Sequence, residues 1–208
     1  MQKFSGNCGW LYLILLRLSE PLARLVFWVR YRDVGNIPKK GGFVVCCNHR
    51  SLFDPYLLTV PFRRQIRYMA KSELFTDHGF AARWFLRALG AFPVHRDTGD
   101  RKSLHAAVEI LRRGGIVGIF PQGRIVWDDS PVRPKPGAAL VAALAGVPVL
   151  PAAIRCRGPV VPFHPMEIRF GAPLTRRSLF PRGTSSACIR RASEVIADHI
   201  NRLLEAKP

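Results

Sequence analysis

After Gly35 the chain alternates short apolar or β-branched runs with stretches whose apolar positions recur every three or four residues. That alternation is the sequence form of an α/β domain. The strand candidates are residues 43–47, 66–70, 91–95, 116–120, 149–154 and 167–170, several of them apolar enough to be buried on both faces. Helices are predicted over 80–89, over 100–112 with Gly114 as the stop, over 137–145 ending at Gly146, and over 184–204. The last shows the clearest periodicity. Ile189, Ala192, Ile196, Ile200 and Leu203 mark one face, while Arg190, Arg191, Glu194, Asp198 and Arg202 occupy the others. No internal repeat or low-complexity tract is present. A Pro-rich stretch over 121–136 is consistent with either a mobile flap or a rigid surface connection.

Residues 10–29 are apolar at 15 of 20 positions, yet the pattern predicts neither a membrane span nor an export signal. Arg17, Glu20 and Arg24 interrupt the stretch, Pro21 is expected to break or bend it, and the longest purely apolar run is 10–16. At helical spacing the three charges fall within roughly 60° of one another, which leaves a wide apolar face. Such a helix can lie on a membrane or pack on its own domain, and this window fits both. A signal anchor is a third reading, since Lys3 and the following apolar run resemble a weak leader that lacks a small-residue cleavage site. The chain accordingly divides into an amphipathic N-terminal segment, 1–33, and one domain over 34–208.

Composition narrows the class. A length of 208 residues with 48% hydrophobic and 22% charged positions suits a single folded domain and excludes a disordered chain. The formal net charge of +18 favours phosphate-bearing or acidic partners: nucleic acid, anionic lipid, nucleotides or acidic carriers. Cys8, Cys46, Cys47, Cys156 and Cys188 are odd in number and lack paired C-x-x-C spacing, which points to a reducing compartment rather than a zinc site or disulfide framework.

The chemistry-bearing stretch follows the first strand candidate. Val44-Val45-Cys46-Cys47-Asn48-His49-Arg50-Ser51-Leu52-Phe53-Asp54-Pro55 places a His and an Asp five positions apart at a strand-to-helix junction. A carboxylate accepting from one imidazole nitrogen fixes the tautomer, so the other nitrogen can take a proton from a hydroxyl nucleophile. With six His in the chain, chance supplies one such pair about a quarter of the time, and His95 with Asp100 has the same spacing. Setting distinguishes them. His95 sits among Arg96, Asp97 and Arg101 in a charged turn, whereas His49 follows an apolar strand whose carboxyl end offers a low-dielectric wall. Cys47 invites a Cys/His reading, but Cys46 and Cys47 are better read as small core residues of the strand. Three cations follow strand candidates and could converge on a phosphate: Lys71, Arg96 and Arg124, the last beside Gly123, which lets the backbone approach a ligand. For any one basic residue among thirty-two, a solvated surface position is the commoner role.

Taken in order, these segments resemble the four motif blocks of the 1-acylglycerol-3-phosphate O-acyltransferase family, the PlsC-like glycerolipid acyltransferases. Asn48-His49 through Asp54 is similar to the N-H-x4-D block, Gly90 to Arg96 to G-x-F/I-x-V-x-R, Phe120-Pro121-Gln122-Gly123 to F-P-E-G, and Val147-Pro148-Val149-Leu150-Pro151 to V-P-[IV]-x-P. Asn36-Ile37-Pro38, Lys71-Ser72-Glu73-Leu74 and Lys135-Pro136-Gly137 are similarly placed in that family, so the resemblance covers residues 34–170.

The resemblance implies an α/β fold with a mixed central sheet flanked by helices and preceded by amphipathic interfacial helices. It implies His49 as general base and Asp54 as its orienter, with Lys71, Arg96, Gln122, Gly123 and Arg124 on the substrate. The lysolipid hydroxyl would attack the thioester of acyl-CoA or an acyl carrier protein, turning lysophosphatidic acid into phosphatidic acid with no cofactor, metal or covalent intermediate. It further implies peripheral or monotopic attachment to an anionic membrane surface, on the cytoplasmic face, and no nucleic acid partner. Two positions depart from the pattern. Gln122 stands where the family usually has Glu, and Arg124 directly follows the Gly where many members have Thr and then Arg. Gln122 leaves open a different lyso-lipid acceptor, such as an amino-acid lipid, or a catalytically silent lipid-binding relative. A basic nucleic-acid-binding domain is the rival from another class; against it stands the lack of a zinc pattern, an aromatic RNA-stacking signature or a recognition helix.

Overall fold

The computed structural model describes residues 10–77, 79–80, 83, 86, 90–94, 101–128, 130–156, 158 and 160–206. In chain order the elements are α1 (Trp10–Phe27), β1 (Val29–Arg32), β2 (Phe43–Cys47), α2 (Asp54–Thr59), β3 (Ile66–Lys71), α3 (Glu73–Thr76), β4 (Phe92–Val94), α4 (Arg101–Arg112), β5 (Ile116–Ile119), α5 (Gly137–Ala145), β6 (Val149–Cys156), β7 (Met166–Phe170), α6 (Arg176–Leu179) and α7 (Ser186–Glu205). The strands form one seven-stranded sheet in the order β1-β7-β6-β2-β5-β3-β4. Only β6 and β7 run antiparallel; the remaining neighbours are parallel, so the sheet is mixed.

Strand β2 is buried at all five positions, as its unbroken apolar run requires of a strand covered on both faces. Its side chains alternate between two cores. Phe43, Val45 and Cys47 pack with Leu57, Ile66 and Leu150 under α1 and α2, whereas Val44 and Cys46 pack with residues of α4, α5 and α7. The result is three layers, with helices on each face of the sheet. Helix α7 lays Ala192, Ile196 and Ile200 against the second core at 0–1% exposure, following the periodicity of its sequence.

The N-terminal segment differs from expectation in two ways. Pro21 lies inside a continuous helix; it is exposed, as is Arg17, whose carbonyl would have received the missing amide, so that carbonyl can turn to water. Val29–Arg32, expected to belong with the surface helices, instead forms the edge strand β1 beside β7. The apolar face of α1 is divided. Leu16, Ala23 and Phe27 are buried against the sheet, while Leu18, Leu22 and Leu25 stand 71%, 59% and 66% exposed. Tyr56 Oη donates to the Ser19 carbonyl (3.1 Å) and Tyr31 Oη to the Leu57 carbonyl (2.9 Å), so α1 and β1 are fastened to α2. Among the described residues, no helix is long and apolar enough to cross a membrane. Of the helix expected over 80–89, Phe80, Arg83 and Leu86 are described and are helical; the others lie outside the described residues, as do His95, Arg96 and Asp100.

Candidate active site

Because β2, β5 and β3 are parallel neighbours, their carboxyl ends share one edge of the sheet. That topology brings three segments together: the turn after β2 with His49, the turn after β5 with Phe120 to Arg124, and Lys71 at the end of β3, paired with Val94 of β4. Asn48 begins the turn as if it still belonged to the sheet. Its side-chain oxygen accepts from Ile154 N (2.7 Å) and its amide donates to Ile154 O (2.9 Å), which locks the strand's end onto β6.

Asp54, fully buried, gathers the loop around its carboxylate. Oδ2 accepts from the backbone amides of Arg50 (2.5 Å) and Ser51 (2.8 Å), and Oδ1 accepts from the Ser51 hydroxyl (2.8 Å). His49 Nδ1 lies 2.8 Å from the same Oδ2. With that oxygen already committed as an acceptor, Nδ1 is the donor and the Nε2 lone pair is left for a substrate proton. The ring is 18% exposed and stacks on Phe120, centroid to centroid 4.0 Å at 16°. Phe120 in turn stacks on Tyr68 at 5.9 Å, and Tyr68 is held by a 2.8 Å hydrogen bond to Thr59. This stack needs Gly118, paired with Tyr68 across the strands, because a β-carbon there would collide with the Tyr68 ring.

Gln122 and Gly123 shape the opposite wall. The Gln122 Oε1 accepts from the His49 backbone amide at 2.9 Å, a bond that either a glutamine or a glutamate oxygen can accept. Gly123 closes a turn onto the Phe120 carbonyl (3.0 Å) with φ +69°, a conformation costly to a side-chain-bearing residue. The Lys135 side chain lies along this turn, its Cδ, Cε and Nζ each 3.2 Å from where a Gly123 β-carbon would sit. Arg124, the next residue, is exposed. The stretch 121–136 is pinned rather than free. Val126 N donates to the His49 carbonyl (2.8 Å), Lys135 N to the Pro121 carbonyl (2.8 Å), and Val132 N to Asn201 Oδ1 (2.8 Å). The buried Arg50 guanidinium adds a bond to the Asp128 carbonyl (2.6 Å) and another to the Gly158 carbonyl (2.8 Å).

A cavity of about 510 Å3 opens beside the imidazole, with a mostly apolar lining that includes Leu52, Met69, Leu104, Phe120 and Val141, together with Lys135. Its size and lining suit an apolar ligand. Cys46 and Cys47 offer no rival nucleophile. Burial pushes both thiols well above the ordinary range, and the nearby Asp54 charge adds to the effect at Cys47.

The structure thus unites His49, Asp54, Gln122 and Gly123 and places Lys71 and Arg124 on the same sheet edge, while Arg96 lies outside the described residues. Sequence reasoning passed over Ser51, Arg50, Phe120 and Lys135 as parts of the site. A signal for one was present: Ser51-Leu52-Phe53-Asp54 has the hydroxyl-to-carboxylate spacing of a helix-start pattern. Phe120 and Lys135 lie within segments that resemble the family's motifs, but the contacts that bring them and Arg50 into the site are tertiary.

Comparison with known proteins identifies the family of the chain. Residues 29–155, more than half of the chain, match the acyltransferase family. A 1-acyl-sn-glycerol-3-phosphate acyltransferase of Bacillus subtilis (strain 168) is 39% identical over 128 residues, covering 60% of this chain and 61% of the relative. A probable 1-acyl-sn-glycerol-3-phosphate acyltransferase of Mycoplasma pneumoniae is 31% identical over 129 residues, covering 57% of this chain and 46% of the relative. The matched segment therefore spans less than two thirds of these curated relatives. The crystal structure of the 1-acyl-sn-glycerophosphate acyltransferase PlsC from Thermotoga maritima superposes with a TM-score of 0.70 at 25% identity, covering 93% of this chain and 78% of that one. With the expected mixed sheet and these matches in agreement, the chain belongs to the acyltransferase family.

Proposed function

We propose that the protein transfers a fatty acyl group from acyl-CoA or an acyl carrier protein to the free hydroxyl of a lysophospholipid, with lysophosphatidic acid as acceptor and phosphatidic acid as product. The observation that carries this reading is the His49 ring held at 2.8 Å by the buried Asp54 beside an apolar cavity. His49 Nε2 takes the hydroxyl proton as the oxygen attacks the thioester carbonyl. The tetrahedral intermediate then expels the thiolate, which recovers a proton from the imidazolium. General-base help of this kind is worth about a hundred- to ten-thousandfold. The rest of the acceleration comes from holding donor and acceptor in register, the fatty chain in the cavity and the phosphate among Lys71, Arg96 and Arg124. Relatives named 1-acyl-sn-glycerol-3-phosphate acyltransferases support this acceptor. Since the Gln122 oxygen is engaged with the His49 amide, its presence does not by itself favour a different headgroup. The exposed leucines of α1 and the net charge of +18 support peripheral attachment to an anionic membrane, on its cytoplasmic face.

The test supplies purified protein with lysophosphatidic acid, other lysolipids and acyl thioesters, follows free thiol and identifies the lipid product by mass. Thiol release with formation of phosphatidic acid is expected. Thiol release only with another lysolipid would move the acceptor assignment, and no acyl transfer to any lysolipid would overturn the reading.

A further inference from the structure

Three described residues other than glycine adopt a left-handed backbone: Trp28 (φ 42°), Asp33 (φ 56°) and Phe163 (φ 61°). Aspartate tolerates this region; bulky aromatic residues do so at a cost that glycine would avoid. Both aromatics also face solvent, Trp28 at 51% and Phe163 at 64% exposure. They are neighbours through the backbone, for Phe163 N donates to the Val26 carbonyl at 2.5 Å and so seats the β6–β7 loop on the end of α1. Strain and exposed aromatic surface both oppose folding of the isolated chain, and a bound partner that covers the aromatics would offset that cost.

The surroundings identify that partner's chemistry. Leu25 and Val161, close to the two aromatics in sequence, are exposed apolar residues as well, at 66% and 42%. Phe27 meets Phe53 ring to ring at 5.1 Å, and Phe53 is 44% exposed. The adjacent Leu52, 66% exposed, lines the catalytic cavity, so the Phe27–Phe53 contact links the end of α1 to a loop that borders the cavity. Exposed Arg24 and Arg30 flank Leu25 and Trp28 in sequence within a chain of net charge +18. Aromatic side chains with basic neighbours are the composition that settles at a lipid headgroup boundary.

We propose that the β6–β7 loop is a membrane contact additional to α1: Phe163 and Trp28 insert together at the surface of an anionic phospholipid bilayer and hold the cavity mouth against it. The inference deepens the acyltransferase reading by naming how the site meets its lipid. Its readout is binding, which is separate from turnover: His49→Ala keeps its vesicle binding whether or not acyl transfer is lost.

The experiment compares the full chain with the double variant Trp28→Gly/Phe163→Gly by sedimentation with vesicles of phosphatidylcholine and phosphatidylglycerol, with thermal unfolding in parallel. Glycine removes the aromatic surface and relaxes the backbone at both positions. Vesicle affinity is expected to fall about tenfold or more while the unfolding midpoint holds or rises. Unchanged vesicle binding would overturn the proposal. So would a loss of binding that merely tracks a lower midpoint, since that marks a structural role. A concentration-dependent dimer that the double variant abolishes while still binding vesicles would assign the surface to a second copy of the chain and overturn it as well.

Discussion

The turn after β2 and helix α1 touch through Phe53 and the buried Phe27, yet the turn and the outer face of the helix follow opposite rules. In the turn, Asp54 is fully buried and both its oxygens have donors, Asn48 is bonded on both sides, and the His49 backbone is bonded at its amide and its carbonyl. On α1, Leu18, Leu22 and Leu25 stand in solvent with apolar surface open. The first arrangement fixes a ring before any substrate arrives, which is what general-base catalysis in a low-dielectric corner needs. The second leaves free energy to be gained only against another apolar phase. Under the proposed function, rigid polar order and open apolar surface are two halves of one task, bringing a lipid hydroxyl to a fixed base.

Substitutions can break or sharpen this contrast. Asp54→Ala should have the largest effect on stability, on the order of 3–5 kcal/mol in denaturant unfolding, because two backbone amides, the Ser51 hydroxyl and the His49 ring lose their acceptor in a buried place. Gln122→Leu should cost about 1–2 kcal/mol by orphaning the His49 amide. Gln122→Glu keeps an acceptor oxygen and should unfold within about 1 kcal/mol of the parent. Because a glutamate oxygen accepts the same bond, turnover on lysophosphatidate and the acceptor profile are expected to stay close to the parent's; a marked rise in turnover on lysophosphatidate would show that the missing charge alters specificity. Smallest of all is Leu22→Asp on α1, expected within about 0.5 kcal/mol of the parent in unfolding while vesicle sedimentation falls. If Leu22→Asp proved as destabilising as Asp54→Ala, the two regions would not differ as described.

Much of the architecture was legible where one local signal sufficed. β2 and α5 match their predicted spans because an unbroken apolar run and a Gly-bounded apolar stretch each have a single local solution. Helices α1 and α7 carry similar amphipathic patterns, yet α7 buries its stripe while α1 leaves Leu18, Leu22 and Leu25 exposed, since periodicity records that a face is apolar and not what covers it. β1 was hidden because Val29-Arg30-Tyr31-Arg32 is four residues long, continues an apolar segment and owes its place to β7, far along the chain. In the site, spacing and setting made His49 and Asp54 candidates beside His95 and Asp100, and the family resemblance singled them out. The stack of Phe120 on the imidazole and the clasp of Arg50 on two distant carbonyls arise from tertiary contact alone.

The central claim is that the His49 imidazole, oriented by Asp54, removes the proton from the acceptor hydroxyl. Thiol release from an acyl thioester in the presence of lysophosphatidic acid, measured for His49→Ala and His95→Ala beside the parent, tests it most directly. The account predicts a loss of at least about a hundredfold for His49→Ala, with most activity retained in His95→Ala. Parent-like turnover in His49→Ala, or a loss confined to His95→Ala, would contradict it.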